Sequence, residues 1–146
     1  MRAAWLSAGG GDVQRLAMRP PEATRIGEGW RITVYETPPS QNTTDRENRW
    51  ARARRLRVLE QEFWALRLRA RAAKLSRARL DISVFFTSTR RRDALNYAGG
   101  LKQWIDALVR AGWVEDDDTL HLLPSMPRIL RDAEARTEFH LYPWEG

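Results

Sequence analysis

Cysteine is missing from this chain of 146 residues, and so are long apolar runs. Without cysteine, the chain forms no disulfide, thiolate zinc site or cysteine nucleophile. No apolar stretch approaches the roughly 18 residues of a membrane span, and the N-terminus lacks the apolar segment of a signal peptide. We therefore expect a cytoplasmic protein without membrane contacts, of a length that suits one domain.

Lysine is also scarce, because 23 of the 25 basic residues are arginine. The charges are unevenly distributed: residues 1–92 carry 20 basic and 9 acidic side chains, whereas residues 93–146 carry 5 basic and 10 acidic ones. The planar guanidinium group of arginine matches the oxygens of a phosphate. This composition favours nucleic acid as the partner of the basic part of the chain.

Hydrophobic periodicity predicts an α/β (α+β) fold, with a small mixed sheet of about four strands and two main helices in the order β-α-β-α-β-β. Residues 1–29 show no such period, so we predict a flexible N-terminal leader over 1–29 and a single domain over 30–146. The predicted strands lie at residues 31–36, 80–87, 121–123 and 137–142, and the predicted helices at residues 43–75 and 96–112.

The first predicted helix has an apolar face. We expect Trp50 and Trp64, which lie on or beside that face, to pack in the core, and we expect the same of Trp104 on the second helix. That face spans more than three heptads, so it also suits a helical dimer seam. The remaining positions are rich in arginine, and such a face is either solvated or binds phosphates. Its arginines are Arg52, Arg54, Arg55, Arg57, Arg67, Arg69 and Arg71.

Candidate chemistry lies around the second predicted helix, which Asn96 would cap and Gly112 would end. Carboxylates without cysteine or paired histidine suit Mg²⁺ or Mn²⁺ rather than zinc, although each of them also has a purely structural interpretation. Lys102 would offset the charge of a phosphodiester in its transition state, or would pair with Asp106 on its own helix. We expect His121 and His140 to be structural. The candidate carboxylates are Asp93, which follows three arginines, and the run Glu115, Asp116, Asp117 and Asp118.

The string RRRDALNYAGGLKQWIDALVRAGWVEDDDTL, at residues 90–120, resembles the signature of the RusA-type Holliday junction resolvases. That signature is a basic run, D-x-D-N, a helix with lysine and D-A/G-L-x-x-A-G, and an acidic pair. An earlier segment at residues 38–42 resembles the P-P-S-x-N motif of the same family. Leu95 departs from the pattern, because many members have the second acidic residue there. The matching residues are Asp93, Asn96, Lys102, Asp106-Ala107-Leu108, Ala111-Gly112 and Asp116-Asp117.

The resemblance implies a RusA-like fold and a homodimer that resolves four-way DNA junctions by symmetrical, Mg²⁺-dependent phosphodiester hydrolysis in recombination and repair, in a bacterial or phage-infected cell. Mn²⁺ is the alternative metal. Because Leu95 replaces one expected ligand, the alternative function is a non-catalytic homologue that binds branched DNA without cleavage. Which of residues 116–118 faces the metal stays open. The implied catalytic residues are Asp93, Lys102 and Asp117, the metal ligands are Asp93, Asp117 and Asp116, and the DNA contacts are Arg90, Arg91, Arg92, Asn96, Arg52, Arg55 and Arg57.

Overall fold

The computed structural model describes residues 19–40 and 49–145. Within these ranges the chain forms six strands, two α-helices and a short 3-10 helix that leads into the second α-helix. The strands are β1 (Glu22–Ile26), β2 (Gly29–Val34), β3 (Ala78–Phe86), β4 (Leu122–Pro124), β5 (Arg128–Arg131) and β6 (Arg136–Pro143); the helices are α1 (Arg49–Ala70), the 3-10 helix (Ala94–Tyr97) and α2 (Ala98–Arg110).

The strands form one mixed sheet in the order β1-β2-β6-β3-β4, with β5 also beside β3. Strand β6 lies between β2 and β3 and is antiparallel to both. Strands β4 and β5 pair in parallel with successive parts of β3. The predicted mixed α+β architecture with two main helices is therefore confirmed, whereas the sheet has six strands rather than about four.

The two unpredicted strands lie at edges of the sheet. Strand β1 occupies residues that we predicted as part of the leader, and it forms an antiparallel hairpin with β2 through a turn in which Gly27 has a φ of 58°. Its sequence, EATRI, is almost wholly exposed, so it lacks the apolar alternation that marks a half-buried strand. Strand β5, RILR, is only four residues long. Residues 1–18 of the predicted leader lie outside the described residues.

Both helices pack on the same face of the sheet. Phe139 of β6 contacts Phe63 of α1 and Trp104 of α2, each with ring centroids 6.4 Å apart. The buried Trp113, which follows α2, donates a hydrogen bond from its indole nitrogen to the carbonyl of Phe63, at 2.9 Å. The core is thus a single layer of side chains between the sheet and the helix pair. None of the described helices is long and apolar enough to cross a membrane.

The first helix confirms part of its predicted apolar face and contradicts the rest. Leu59, Phe63 and Leu66 are buried, but Trp50 and Trp64 are 76% and 52% exposed. At about 100° per residue, both tryptophans lie on the side of the helix opposite the three buried residues. Core packing of these two tryptophans was therefore a wrong prediction. Residues 43–48, which we predicted as the first turns of this helix, lie outside the described residues.

The termini of α2 differ from the prediction at one end. The amide of Leu95 donates to Asp93 Oδ1 at 3.1 Å, so Asp93 caps the 3-10 helix and the prediction of Asn96 as N-cap is wrong. At the other end Gly112 has a φ of 93° and follows the last turn, as predicted. Arg67 donates to the carbonyl of Ala111 at 3.0 Å, so this arginine caps α2 rather than belonging to a solvated basic face.

Candidate functional site

An arginine-lined cleft lies beyond the C-terminal end of β3. It consists of two adjoining cavities of about 580 and 360 Å³ that share four lining residues. The loop after β2, the loop after β3 and the 3-10 helix form its walls. We call this feature the arginine cleft; its lining residues are Thr37, Pro38, Pro39, Ser40, Arg55, Phe86, Arg90, Arg91, Arg92, Asp93, Ala94, Asn96 and Tyr97.

A glycine on α2 lets the two loops of the cleft come together. A Cβ atom on Gly100 would lie 2.6 Å from the carbonyl oxygen of Pro39, a distance that no side chain tolerates. The preceding residue, Gly99, has nothing within 4 Å of the same position. Gly100 therefore allows close packing, because only a residue without a side chain lets the proline loop lie against the start of α2.

The three consecutive arginines of the cleft have different environments. Arg92 lies over the ring of Phe86 at 3.9 Å, and it donates to Ser88 Oγ at 2.8 Å and to the carbonyl of Arg90 at 2.9 Å. These contacts hold the loop that follows β3. Arg90 and Arg91 are exposed, and neither forms an ion pair with any described residue. The cleft therefore presents two positive charges that the described part of the fold does not neutralise.

Asp93 is the acidic residue of the cleft. One of its carboxylate oxygens accepts the hydrogen bond from the Leu95 amide that caps the 3-10 helix. Asn96 lines the cleft beside Asp93. Leu95, which stands where the resemblance expects a carboxylate, is 62% exposed. The described cleft thus offers one carboxylate beside its arginines.

Lys102 and Asp117, two of the three predicted catalytic residues, are in direct contact. The Lys102 ammonium donates to Asp106 Oδ1 and to Asp117 Oδ2, both at 2.7 Å. The hydrogen bonds to Asp106 and Asp117 raise the pKa of Lys102. The hydrogen bond from Lys102 in turn lowers the pKa of Asp117. The predicted pairing of Lys102 with Asp106 is therefore confirmed, and Lys102 also contacts the acidic run through Asp117.

Residues 115–118 form a loop after α2, here called the acidic loop, whose carboxylates accept hydrogen bonds from close by. Asp116 accepts from the amide of Asp117 at 2.7 Å. Asp118 accepts from the amide of Leu120 at 2.9 Å, and its Oδ1 lies 2.7 Å from His121 Nδ1. The hydrogen bond with His121 is the largest cause that lowers the pKa of Asp118.

Two residues of the acidic loop form a cluster with His121 that we did not predict. Ligand atoms of Asp116, Asp118 and His121 all lie within 4.8 Å of one another. We expected His121 to be structural because it lacks a second histidine at helical spacing. Its separation of three residues from Asp118 was the one signal in the sequence that could have suggested this contact.

The structure gathers the predicted DNA contacts only in part. Arg90, Arg91, Arg92 and Asn96 line the arginine cleft together with Arg55 of α1. Arg52 and Arg57 do not belong to its described lining, and neither do Asp116, Asp117 and Lys102. Asp93 therefore lines the cleft, whereas the Lys102–Asp117 pair lies outside its described lining.

The predicted metal ligands suit a hard divalent cation by their chemistry. Asp93, Asp116 and Asp117 are exposed carboxylates, the donors that Mg²⁺ prefers. Each of them has one oxygen in a described hydrogen bond, to the amide of Leu95, to the amide of Asp117 and to Lys102 respectively.

Comparison with protein-family models gives no match for this chain, and comparison with curated proteins gives none either. The resemblance to RusA-type resolvases therefore depends on the motifs at residues 38–42 and 90–120 alone.

Proposed function

We propose that this chain is a Mg²⁺-dependent endonuclease that cuts branched DNA, with the four-way junction as its substrate, in the manner of the RusA-type resolvases. The observation that carries the proposal is the composition of the arginine cleft. Two motifs that are some fifty residues apart in the sequence, Pro38-Pro39-Ser40 and the run from Arg90 to Asn96, line one cleft. Both are motifs on which the resemblance to that family is based.

The cleft suits a phosphodiester backbone. Arg90 and Arg91 carry charges without a described partner, and arginine binds phosphate oxygens through two parallel hydrogen bonds. Such contacts position the DNA without reading its sequence. We assign Arg90, Arg91, Arg92 and Arg55 to the backbone beside the cut, and Arg52 and Arg57 to a flanking arm.

The chemical step is hydrolysis of one P–O bond. The oxygen of a water molecule bonds to phosphorus, the bond to the leaving strand breaks, and the water proton goes to the leaving oxygen. Mg²⁺, when bound, polarises the phosphoryl oxygen and lowers the pKa of that water. Asp93 and Asp117 would hold the metal, with Asp116 beside them. Lys102, whose pKa is raised, stays cationic and offsets negative charge on the phosphate.

A homodimer would supply two such sites. The four arms of a junction are related by two-fold symmetry, and a two-fold dimer presents the same cleft to symmetrically related strands. Symmetrical cleavage follows from this arrangement without any contact that reads the bases.

One pair of observations favours a second candidate, a homologue that binds branched DNA without cutting it. Leu95 occupies the position of an expected ligand, and Asp117 is already paired with Lys102. In this alternative the arginine cleft keeps its role in binding phosphates, and the acidic loop is a charged surface without a metal.

The two candidates are separated by incubating the full chain with an end-labelled synthetic four-way junction, in Mg²⁺ and in EDTA. A linear duplex of matched length and the Asp117→Asn variant serve as controls. Paired, symmetrical nicks that need Mg²⁺ and occur in the junction alone would support the endonuclease. Tight binding without nicks, in Mg²⁺ or Mn²⁺, would contradict it and support the binding homologue.

A further inference from the structure

The outer side of α1 carries a stripe of exposed residues, of which the proposed nuclease uses only Arg57, as a contact to a flanking arm. The stripe follows steps of four and three along the helix, so its members lie on one side, away from the sheet. Trp64 and Leu68 are 52% and 47% exposed, and Trp50 is more exposed still. We call it the tryptophan stripe; it consists of Trp50, Arg54, Arg57, Gln61, Trp64 and Leu68.

The charge of the stripe is of one sign. Arg54 and Arg57 lie on it, and neither forms an ion pair with a described residue. Of the two acidic residues of α1, Glu62 lies off the stripe, and Glu60 lies at its edge, four residues before Trp64. Glu60 is paired with Arg110 of α2 at 2.5 Å. The surface therefore combines exposed indole rings with arginines, and its acidic neighbour is already paired with a cation of α2.

We infer that the tryptophan stripe binds a single-stranded segment of nucleic acid, with its tryptophans stacked on unpaired bases and its arginines on the backbone. Indole rings stack on the face of a base, which a duplex covers with its neighbouring stacked bases and a single strand leaves open, and arginines contact the phosphates of such a strand. The stripe is about 27 Å long, which suits the several nucleotides that single-strand grooves bind.

Charge decides against a second copy of the chain as the occupant. Pairing two α1 helices through this face would bring arginines of one helix against arginines of the other, which is unfavourable. An anionic strand meets the same arginines with complementary charge. The inference goes beyond the proposed endonuclease, because it concerns a second surface and does not need cleavage.

The test is fluorescence anisotropy in EDTA with a labelled strand of about 15 thymidines and a duplex of the same length. Trp64→Ala should weaken binding of the single strand by about 5-fold to 100-fold, and binding of the duplex by less than about 2-fold. Trp64→Phe should keep most of the affinity, because a phenyl ring also stacks. Met126→Ala, which changes an exposed apolar residue in the loop after β4, is the matched control and should have no effect.

Three results would overturn the inference. The first is an unchanged affinity of Trp64→Ala for the single strand, and the second is an equal loss for strand and duplex. The third is conversion of a dimer to a monomer by Trp64→Ala, seen by light scattering, since this would make a second copy the occupant. Binding is measured without Mg²⁺, so a failure of the junction-cleavage assay leaves this result independent.

Discussion

The arginine cleft and the acidic loop carry opposite charges, and the fold treats those charges differently. In the cleft, Arg90 and Arg91 have no partner of opposite charge among the described residues. In the loop, Asp117 is paired with Lys102, and Asp118 is hydrogen-bonded to His121. The fold therefore gives these two carboxylates local partners, whereas Arg90 and Arg91 keep their charges exposed to solvent.

The acidic loop gains little stability from its pairs, since they are exposed. Exposed ion pairs contribute about 0–1 kcal/mol each, and salt screens them. The pairs therefore orient the carboxylates more than they stabilise the fold. The comparison of the two regions yields predictions about cleavage, stability and salt dependence.

The largest expected effect is on junction cleavage, and it should differ between variants of the two carboxylates that Lys102 contacts. Asp117→Asn should lower Mg²⁺-dependent junction cleavage on the order of 100-fold or more, because it removes a proposed metal ligand. Asp106→Asn is the matched control, since it removes the other 2.7 Å partner of the same ammonium. It should lower cleavage less than about 10-fold. Equal losses in initial nicking rates would show that both carboxylates act only through Lys102.

The next largest effect is on stability, and it concerns the proline loop that forms one wall of the arginine cleft. Gly100→Ala should lower the free energy of unfolding by about 1–3 kcal/mol and weaken junction binding, because its methyl group would displace the Pro39 backbone. The neighbouring variant Gly99→Ala meets nothing within 4 Å, and it should raise the free energy of unfolding by up to about 1 kcal/mol. Urea unfolding of both variants checks the pair. Two variants of equal stability would contradict the close approach.

A smaller effect, on the free energy of unfolding, tests whether a paired carboxylate stabilises the fold. Burial raises the pKa of Glu138, but hydrogen bonds from Arg136 and His140 outweigh it, so the pKa lies below the usual 4.5. A lowered pKa means that the ionised carboxylate stabilises the fold above about pH 4.5 and that this contribution is lost as pH falls through the folded-state pKa. Glu138→Gln should cost about 1–2 kcal/mol at pH 7.

Unfolding experiments on wild type and Glu138→Gln across pH 3 to 7 measure that contribution, with pH values taken in steps of about half a unit. The difference between the two proteins should shrink below pH 4.5. Glu28→Gln, at an exposed position in the turn between β1 and β2, should show no difference at any pH. A difference for Glu138→Gln that persists at low pH would contradict the role of its charge.

The smallest effect is on the salt dependence of junction binding. Arg91→Ala should lower the slope of log affinity against log salt concentration by about 0.9, because one phosphate contact is lost. Arg79→Ala is the control, since Arg79 is exposed near the other end of β3, about 23 Å from the cleft by strand length. Its slope should match that of wild type. The same slope for all three proteins would exclude a phosphate contact at Arg91.

The central elements of the fold were predictable from sequence, whereas its edges were not. Strands β3 and β6 alternate apolar and polar residues over eight or nine positions, and α2 has an apolar face of regular spacing. Strand β1 is exposed on nearly all of its residues and β5 is short, so neither has the apolar alternation that predicts a strand. In α1, steps of three and four residues fit two opposite faces of the helix equally well. The prediction placed the tryptophans on the buried face, whereas they lie on the exposed one.

The site was predictable where its residues are neighbours in sequence or one helical turn apart. The placement of Arg90, Arg91 and Asp93 on one loop follows from their adjacency, and the contact of Lys102 with Asp106 follows from helical spacing. The contact of Lys102 with Asp117 spans the turn after α2, so it depends on how that turn folds. The approach of Asp118 to His121 depends on the same turn, and no period in the sequence encodes it.

The central claim, that the arginine cleft binds DNA while Asp93 serves its cleavage, is tested most directly by one paired measurement on Asp93→Asn. Junction binding is measured in EDTA and junction nicking in Mg²⁺, with wild type in parallel. Asparagine keeps the side-chain oxygen that caps the 3-10 helix, so the fold should persist. We predict binding as tight as wild type or tighter, with nicking abolished. Loss of binding, or nicking at the wild-type rate, would contradict the account.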